Sequence, residues 1–405
     1  MQMAQTTIQQ IFSNYMTKQP LFLDKRALTT SYTPENVPHR EEQISQLASI
    51  VTPVLKKERP SNVFIYGPTG SGKTLVTQYV ASELKTAAKN NNIPFHIVYV
   101  NCKMKRVADT EYRLLAHLAN LLGKTVPPTG LPTDQVYKIF YSALDEREGV
   151  VIFIIDEIDA LIKKVGDELL YNFTRMNQDI KNVKVSIIGI SNDIAFTENL
   201  DARVRSSLSE EELLFPPYNA LQLQRILSER ASIAFNKSKV SDGVISKCAA
   251  LAAQEHGDAR RALDLLRVAG ELAERENAPM VEEKHVDAAE SKVDLDRVIE
   301  TVKMQPKQSK AILYSIIYLT RGDEKTCLSG DVYEEYVRIT KVLGLKPLTQ
   351  RRVSDIISEL DIMGVITSKV ISKGRYGRMR DIGLAISTEI YQKLLNFLKS
   401  DFGFD

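Results

Sequence analysis

Gly67-Pro68-Thr69-Gly70-Ser71-Gly72-Lys73-Thr74 fits the pattern G-x-x-x-x-G-K-[ST] at every fixed position. The apolar run Val63-Phe64-Ile65-Tyr66 precedes it and the helical pattern Leu75-Val76-Thr77-Gln78-Tyr79-Val80-Ala81 follows, so the motif sits between a strand and a helix. Glycines there let backbone N–H groups close around a phosphate, and the positive end of the helix adds to the attraction. Lys73 is placed to reach the β and γ phosphates of a nucleotide, and Thr74 to offer a hydroxyl to magnesium. The expected core is therefore α/β, a P-loop parallel sheet that binds ATP or ADP.

Downstream, 95–100 reads as a second strand and 110–122 as a helix. The stretch 123–132 carries Pro127, Pro128, Gly130 and Pro132 and predicts a rigid loop, with Thr133 as cap of a helix over 135–144. The run Val150-Val151-Ile152-Phe153-Ile154-Ile155 suits a parallel strand covered on both faces and ends in Asp156-Glu157-Ile158-Asp159. Beside a phosphate loop, that carboxylate pair completes an ATP site: Asp156 holds magnesium through water and Glu157 serves as general base. A further strand over 185–190 ends at Asn192, whose amide could orient the lytic water, though asparagine is also an ordinary turn residue. Arg203 and Arg205 fall in a polar stretch that by default is solvated surface. A last short strand at 213–215 and Pro216-Pro217 close this unit.

Before the loop, 1–33 reads as a short helical arm and an irregular segment. Pro34 and Pro38 mark turns before a helix that begins near Arg40, where His39 and Arg40 read as a solvated helix start. After it, 219–292 is Ala- and Leu-rich and helical, with Gly257 separating two long helices. Asp258 is the expected N-cap of the second, and Arg260 and Arg261 lie in its first turn, where cations oppose the macrodipole and call for a compensating anion. The domains expected are thus a core with its arm over 1–217, a helical lid over 218–292, a linker over 293–305 and a last domain over 306–405.

That last domain reads as three helices, a two-stranded ribbon and a closing helix. In the third helix Val353, Ile356, Ile357 and Leu360 share one face, and Thr349 is the expected N-cap. Lys341, Lys346, Arg351 and Arg352 approach and enter it, with Gln350 at its start and no acidic neighbour. The ribbon tip, Ser372-Lys373-Gly374-Arg375-Tyr376-Gly377-Arg378-Met379-Arg380, combines turn glycines with cations and an aromatic ring. Three helices and a basic hairpin make a winged helix-turn-helix whose third helix can enter a major groove, although such domains also dock proteins. The segment from Pro306 onward carries 16 Lys/Arg against 12 Asp/Glu, +4, leaving −2 for the rest of a +2 chain. That balance favours a polyanionic partner there.

Cys102, Cys248 and Cys327 are far apart and make no metal-binding spacing, which predicts reduced thiols. The polar start and the lack of any apolar run of ~20 residues argue against a signal peptide and a membrane span, and predict a cytoplasmic protein.

Together these motifs resemble an AAA+ ATPase, and more closely the archaeal origin-recognition and cell-division-control type replication initiators, from about Pro38 to the end. The resemblance implies that Val37, Pro38, His39 and Arg40 line the adenine pocket, that Asn192 is the first sensor, and that Arg260 in Gly-Asp-Ala-Arg is the second sensor of the lid. It implies that Arg203 acts on a neighbouring subunit's nucleotide; here the family's Asp-Pro-Arg-Val-Lys-Ser-Ser stands as Asp-Ala-Arg-Val-Arg-Ser-Ser, so Arg205 is a second candidate. Thr129-Gly130-Leu131-Pro132 matches the initiator insertion that presses on origin DNA beside Gln350, Arg351, Arg352 and the wing residues Lys373, Gly374, Arg375, Tyr376 and Arg378. The implied function is an ATP-regulated initiator on double-stranded DNA that works with other initiator subunits and helps load the replicative helicase. A branch-migration DNA motor and an ATP-gated regulator remain as alternatives.

Overall fold

Val150 to Ile155 are each at most 2% exposed, and they alternate between two apolar clusters: Val151, Phe153 and Ile155 in one, Val150, Ile152 and Ile154 in the other. Only a strand with helices on both faces of its sheet buries such a run. Each of these side chains contributes about 1.5–3 kcal/mol of burial. The computed structural model describes residues 20–404 except 31, 35, 104–108, 194–195, 197–199, 209, 321–325, 373–377 and 387. It divides into two compact units, Met1–Val286 and Asp287–Asp405.

In chain order the first unit runs α1 (Glu41–Val51), β1 (Val63–Tyr66), α2 (Lys73–Asn90), β2 (Phe95–Asn101), α3 (Glu111–Leu121), α4 (Thr133–Asp145), β3 (Gly149–Asp156), α5 (Ile158–Val165), α6 (Glu168–Arg175), β4 (Val183–Ser191), α7 (Ala202–Leu208) and β5 (Glu211–Leu214). The strands form one parallel sheet in the order β2-β3-β4-β1-β5. Register aligns Asn101 with Asp156 and Tyr66 with Ser191, so the phosphate loop, Asp156 and Asn192 all emerge at the carboxyl ends of neighbouring strands. The helix over 133–145 starts at Thr133 itself, behind Pro132, with no side-chain cap; the expected Thr133 cap is absent because the proline already sets the entry.

The helical lid follows as α8 (Ala220–Ala234), α9 (Asp242–Gln254) and α10 (Ala259–Glu276). The sequence reading merged the first two: the break at 235–241 contains no proline or glycine, yet its turn is stabilised by a bridge between Val240 and Val281. Asp258 caps α10, accepting from the Arg260 and Arg261 amides. The described part of the N-terminal arm holds a single 3-10 turn, Lys25–Leu28, and packs on the lid. Leu23 N donates to Ala234 O at 2.7 Å, Asn236 N donates to Leu21 O at 3.0 Å, and Phe22 stacks on Phe235. Residues 1–19, the rest of that arm, lie outside the described residues.

Helix α11 (Glu283–Lys303) carries the unit boundary, so most of the expected linker over 293–305 is helical. The second unit continues with α12 (Lys307–Leu319), β6 (Thr326–Leu328), α13 (Ser329–Val342), α14 (Gln350–Ile362), β7 (Ile366–Ser372), β8 (Arg378–Leu384) and α15 (Thr388–Phe402). Thr349 caps α14 as expected, and Val353, Ile356, Ile357 and Leu360 are buried. The ribbon gains an unforeseen third strand, in the order β6-β8-β7, giving a winged-helix domain. Three residues are too few for a sequence pattern to register as a strand. Cys102, Cys248 and Cys327 are buried, and none is in a disulfide. No helix among the described residues is long and apolar enough to cross a membrane.

Candidate nucleotide site and nucleic-acid surface

A cavity of about 650 Å³ opens between sheet and lid; its wall includes Gly70, Gly72, Lys73, Thr74, Asp156 and Glu157. Gly67, Gly70 and Gly72 all have positive φ, and a side chain at Gly70 would collide with Asp258 of the lid. Only glycine lets the loop pass that closely. Lys73 Nζ donates to Gly67 O, Pro68 O and Asn192 Oδ1, each at 2.8 Å. Burial is the main cause that lowers its pKa to about 8, against the pull of Glu157 and Asp156. Ser71 Oγ folds back on Pro68 O, while Thr69 is exposed on the turn.

Thr74 Oγ1 donates to Asp156 Oδ2 at 3.0 Å, and Tyr99 Oη donates to the same oxygen at 2.8 Å. A hydroxyl and a carboxylate facing each other beside a phosphate loop fit a hydrated magnesium ion, which takes one or two protein oxygens and keeps its waters. Glu157 sits in the left-handed region at φ 57°, a strained backbone for a residue with a side chain. Asn192 Nδ2 donates to Glu157 Oε2 at 2.7 Å, and Lys103 Nζ lies 2.8 Å from the same oxygen. Asn192 thus joins Lys73 to Glu157 through its two ends. From the lid, Arg260 reaches the cavity wall. Its neighbour Arg261 is buried and pairs with Glu255 at 2.6 Å, which identifies the anion that its place in the helix called for.

Of the segment ahead of α1, Val37 and Pro38 line the cavity, whereas His39 and Arg40 do not. His39 turns the chain with φ 63°. Arg40, 2% exposed, donates to Ser71 O at 2.9 Å and to Pro216 O, and lies 3.9 Å from the centre of the Tyr218 ring. It therefore ties the phosphate loop to the connection between sheet and lid. Arg40→Ala should lower folding stability by about 2–4 kcal/mol, because a buried carbonyl at Ser71 and a part-buried one at Pro216 lose a charged donor. A denaturation midpoint within error of the parent would refute this role.

Arg203 pairs with Asp201 at 3.0 Å, lies 5.1 Å from the Tyr171 ring centre, and like Arg205 stands on exposed α7 outside the cavity. Tyr99, Lys103 and Arg230 are site residues that the sequence reading missed. Tyr99 and Lys103 flank the end of β2, which register alone brings to Asp156.

In the second unit, Gln350, Arg351, Val370, Met379 and Arg380 line a groove of about 510 Å³ between α14 and the ribbon. Arg351 is exposed and has no acidic partner among the described residues. Arg352 does have acidic neighbours, contrary to expectation: Asp355 at 3.8 Å and Glu359 at 3.4 Å, one helical turn and two turns on. Lys373, Gly374, Arg375 and Tyr376 lie outside the described residues. Arg378 opens β8 opposite Ser372. In the first unit, Thr129, Gly130 and Pro132 are exposed and Leu131 packs against the core edge, so the loop projects outward.

Comparison with known proteins adds three family matches: an AAA domain over residues 56–195, a Cdc6 AAA+ ATPase-type lid domain over 224–291 and a CDC6 C-terminal winged helix domain over 300–393. The chain is 50% identical over 402 residues to an ORC1-type DNA replication protein of Pyrococcus horikoshii, covering 98% of this chain and 94% of that one. It is 52% identical over 387 residues to ORC1-type DNA replication protein 1 of Methanosarcina mazei, covering 95% and 92%. Among solved structures it resembles the Aeropyrum pernix ORC1 protein in complex with DNA, with TM-score 0.86 and 42% identity over 95% of this chain and 98% of that chain.

Proposed function

Since this chain belongs to the ORC1-type DNA replication proteins of archaea, we propose that it is an ATP-switched initiator of replication acting on double-stranded origin DNA. The observation that supports it most is that one cavity is walled by the phosphate loop from the sheet and by Arg260 from the lid. Nucleotide state then biases how the lid sits, which is a switch rather than a motor.

Bound magnesium nucleotide supplies a transferable γ-phosphoryl group whose charge the metal helps neutralise. Lys73, which donates to its loop carbonyls, would meet the phosphates, and Thr74 and Asp156 would hold the metal, with Tyr99 fixing the Asp156 carboxylate. Glu157 receives the proton of the attacking water, and Asn192 holds Glu157 in place. Arg260 offsets phosphate charge from the lid. Arg203, or Arg205, completes hydrolysis in a neighbouring subunit, so that turnover reports assembly.

On DNA, Gln350, Arg351 and Arg352 of α14 enter a major groove while the wing, including Lys373, Gly374, Arg375, Tyr376 and Arg378, and the loop Thr129–Gly130–Leu131–Pro132 follow the backbone. Bound in this way with other initiator subunits, the protein helps recruit and load the minichromosome maintenance helicase. The test is to incubate the purified chain with sheared genomic DNA, with ATP and then ADP, and to sequence what it retains. A few discrete loci beside replication start sites support the reading; uniform recovery would sink it. Arg351→Ala should weaken binding to those loci about tenfold or more. An unchanged affinity and salt slope would mean that this helix faces a protein.

A further inference from the structure

Asp159, in the first turn of α5, keeps a carboxylate that is only 9% exposed, yet it does not wall the cavity. Its side chain's one hydrogen bond among the described residues comes from Ser191 Oγ, 3.2 Å from Oδ1, and Ser191 is fully buried at the end of β4. A buried carboxylate has to be hydrogen-bonded, so this contact fixes where the Ser191 hydroxyl points.

That hydroxyl has a single proton and two acceptors, Asp159 Oδ1 and Asp193 O, both at 3.2 Å. The charged acceptor makes the stronger bond, so the proton goes to Asp159. Ser191 Oγ also accepts from Asp193 N at 2.9 Å, which closes a turn around Asn192. Asn192 Oδ1 accepts from Lys73, and its Nδ2 donates to Glu157 Oε2. Glu157 and Asp159 belong to one helical turn, where Ala160 N donates to Glu157 O at 2.9 Å. The contacts therefore form a closed ring, from Glu157 along the helix start to Asp159, across to Ser191, on to Asn192 and back to the Glu157 side chain. Such a ring fixes Asn192 and Glu157 relative to each other, where a lone bond between two side chains leaves both free to turn.

We propose that Asp159 is a positioning residue: acting through Ser191, it holds Asn192 where Asn192 aligns Glu157 for hydrolysis. Asp159 itself touches no substrate in this role. The proposal rests on the nucleotide reading above and adds the group that keeps the base aligned.

The test uses the full chain with three readouts: ATP affinity by calorimetric titration, single-turnover hydrolysis, and solvent exchange of the Asn192 side-chain amide protons by NMR. Asp159→Ala should leave affinity within a few-fold of the parent, slow hydrolysis about tenfold and speed the amide exchange about tenfold. Asp159→Asn, which keeps an acceptor oxygen in the same place, should bring both rates back to within about threefold of the parent. Combining Asp159→Ala with Ser191→Ala should cost no more than the greater single loss, because both break the same link. Unchanged hydrolysis and amide exchange in Asp159→Ala overturn the proposal. So does an Asp159→Asn as impaired as Asp159→Ala, which would mean that charge matters and position does not, and so do additive losses in the double variant. An equal loss of affinity and turnover also overturns it, by showing a merely structural role. Should Asp159→Ala fail to fold, Ser191→Ala gives the same readouts with the same expected results. A parent that binds ATP without hydrolysing it refutes Glu157 as base, and one that binds no ATP refutes the nucleotide reading itself; in both cases the amide exchange still decides for or against Asp159.

Discussion

Lys73→Ala is expected to lower ATP and ADP affinity by at least about 100-fold, measured by calorimetric titration of the purified chain. Two losses combine. The cation that would meet the β and γ phosphates disappears, and a charged hydrogen bond contributes about 1.5–3 kcal/mol. In addition Gly67 O, Pro68 O and Asn192 Oδ1 lose their shared donor, so the loop is no longer held in shape before the ligand arrives. The same lysine gives the site a pH dependence. Its pKa is lowered to about 8, chiefly by burial, so without nucleotide it loses its charge as pH rises through that value. Phosphates favour the charged form, so affinity should fall above pH 8, with proton uptake on binding. For folding the sign is opposite: burying the charged form is unfavourable, and that penalty is present below about 8 and relieved as pH rises through the unfolded value near 10.5. Wild-type affinity in Lys73→Ala would show that nucleotide binds elsewhere.

Glu157→Gln should leave ATP affinity within a few-fold of the parent while slowing single-turnover hydrolysis by about 10²- to 10⁴-fold. The geometry assigns the two carboxylate oxygens different work. Asn192 and Lys103 both engage Oε2, which leaves Oε1 to take a proton from water. An amide keeps the shape but loses the basicity. Because Gln tolerates the left-handed backbone at φ 57° no worse than Glu, the fold should survive. Retained hydrolysis would remove Glu157 as the base, and a collapse of ATP affinity would make it a binding residue instead.

The phosphate loop and the two carboxylates were legible because each depends on a few adjacent residues with one required backbone path. The caps Asp258 and Thr349 were legible for the same reason. Arg40 was misplaced since adjacency to Pro38 says nothing about a carbonyl 176 positions away, at Pro216. Arg352 looked unpaired because its acids lie one and two turns on, at Asp355 and Glu359, rather than beside it. Tyr99, Lys103 and Arg230 carried no motif at all.

By itself, then, the sequence determined the parallel-sheet core, the phosphate loop, the helical lid and the winged helix, and singled out Lys73, Thr74, Asp156, Glu157 and Asn192, which the fold brings to one cavity. These follow from periodic burial and from the narrow backbone choices of glycine, proline and capping residues, which act over a few positions. Tertiary structure alone decided which charges meet. It joined Lys73 to Asn192 across 119 positions, brought Lys103 to Glu157, placed the described arm on the lid, and set the Arg230 guanidinium over the Tyr32 ring. The physical reason is that such pairings depend on strand order and helix packing, and a side chain's charge becomes a function only where the fold removes water and supplies, or withholds, its partner.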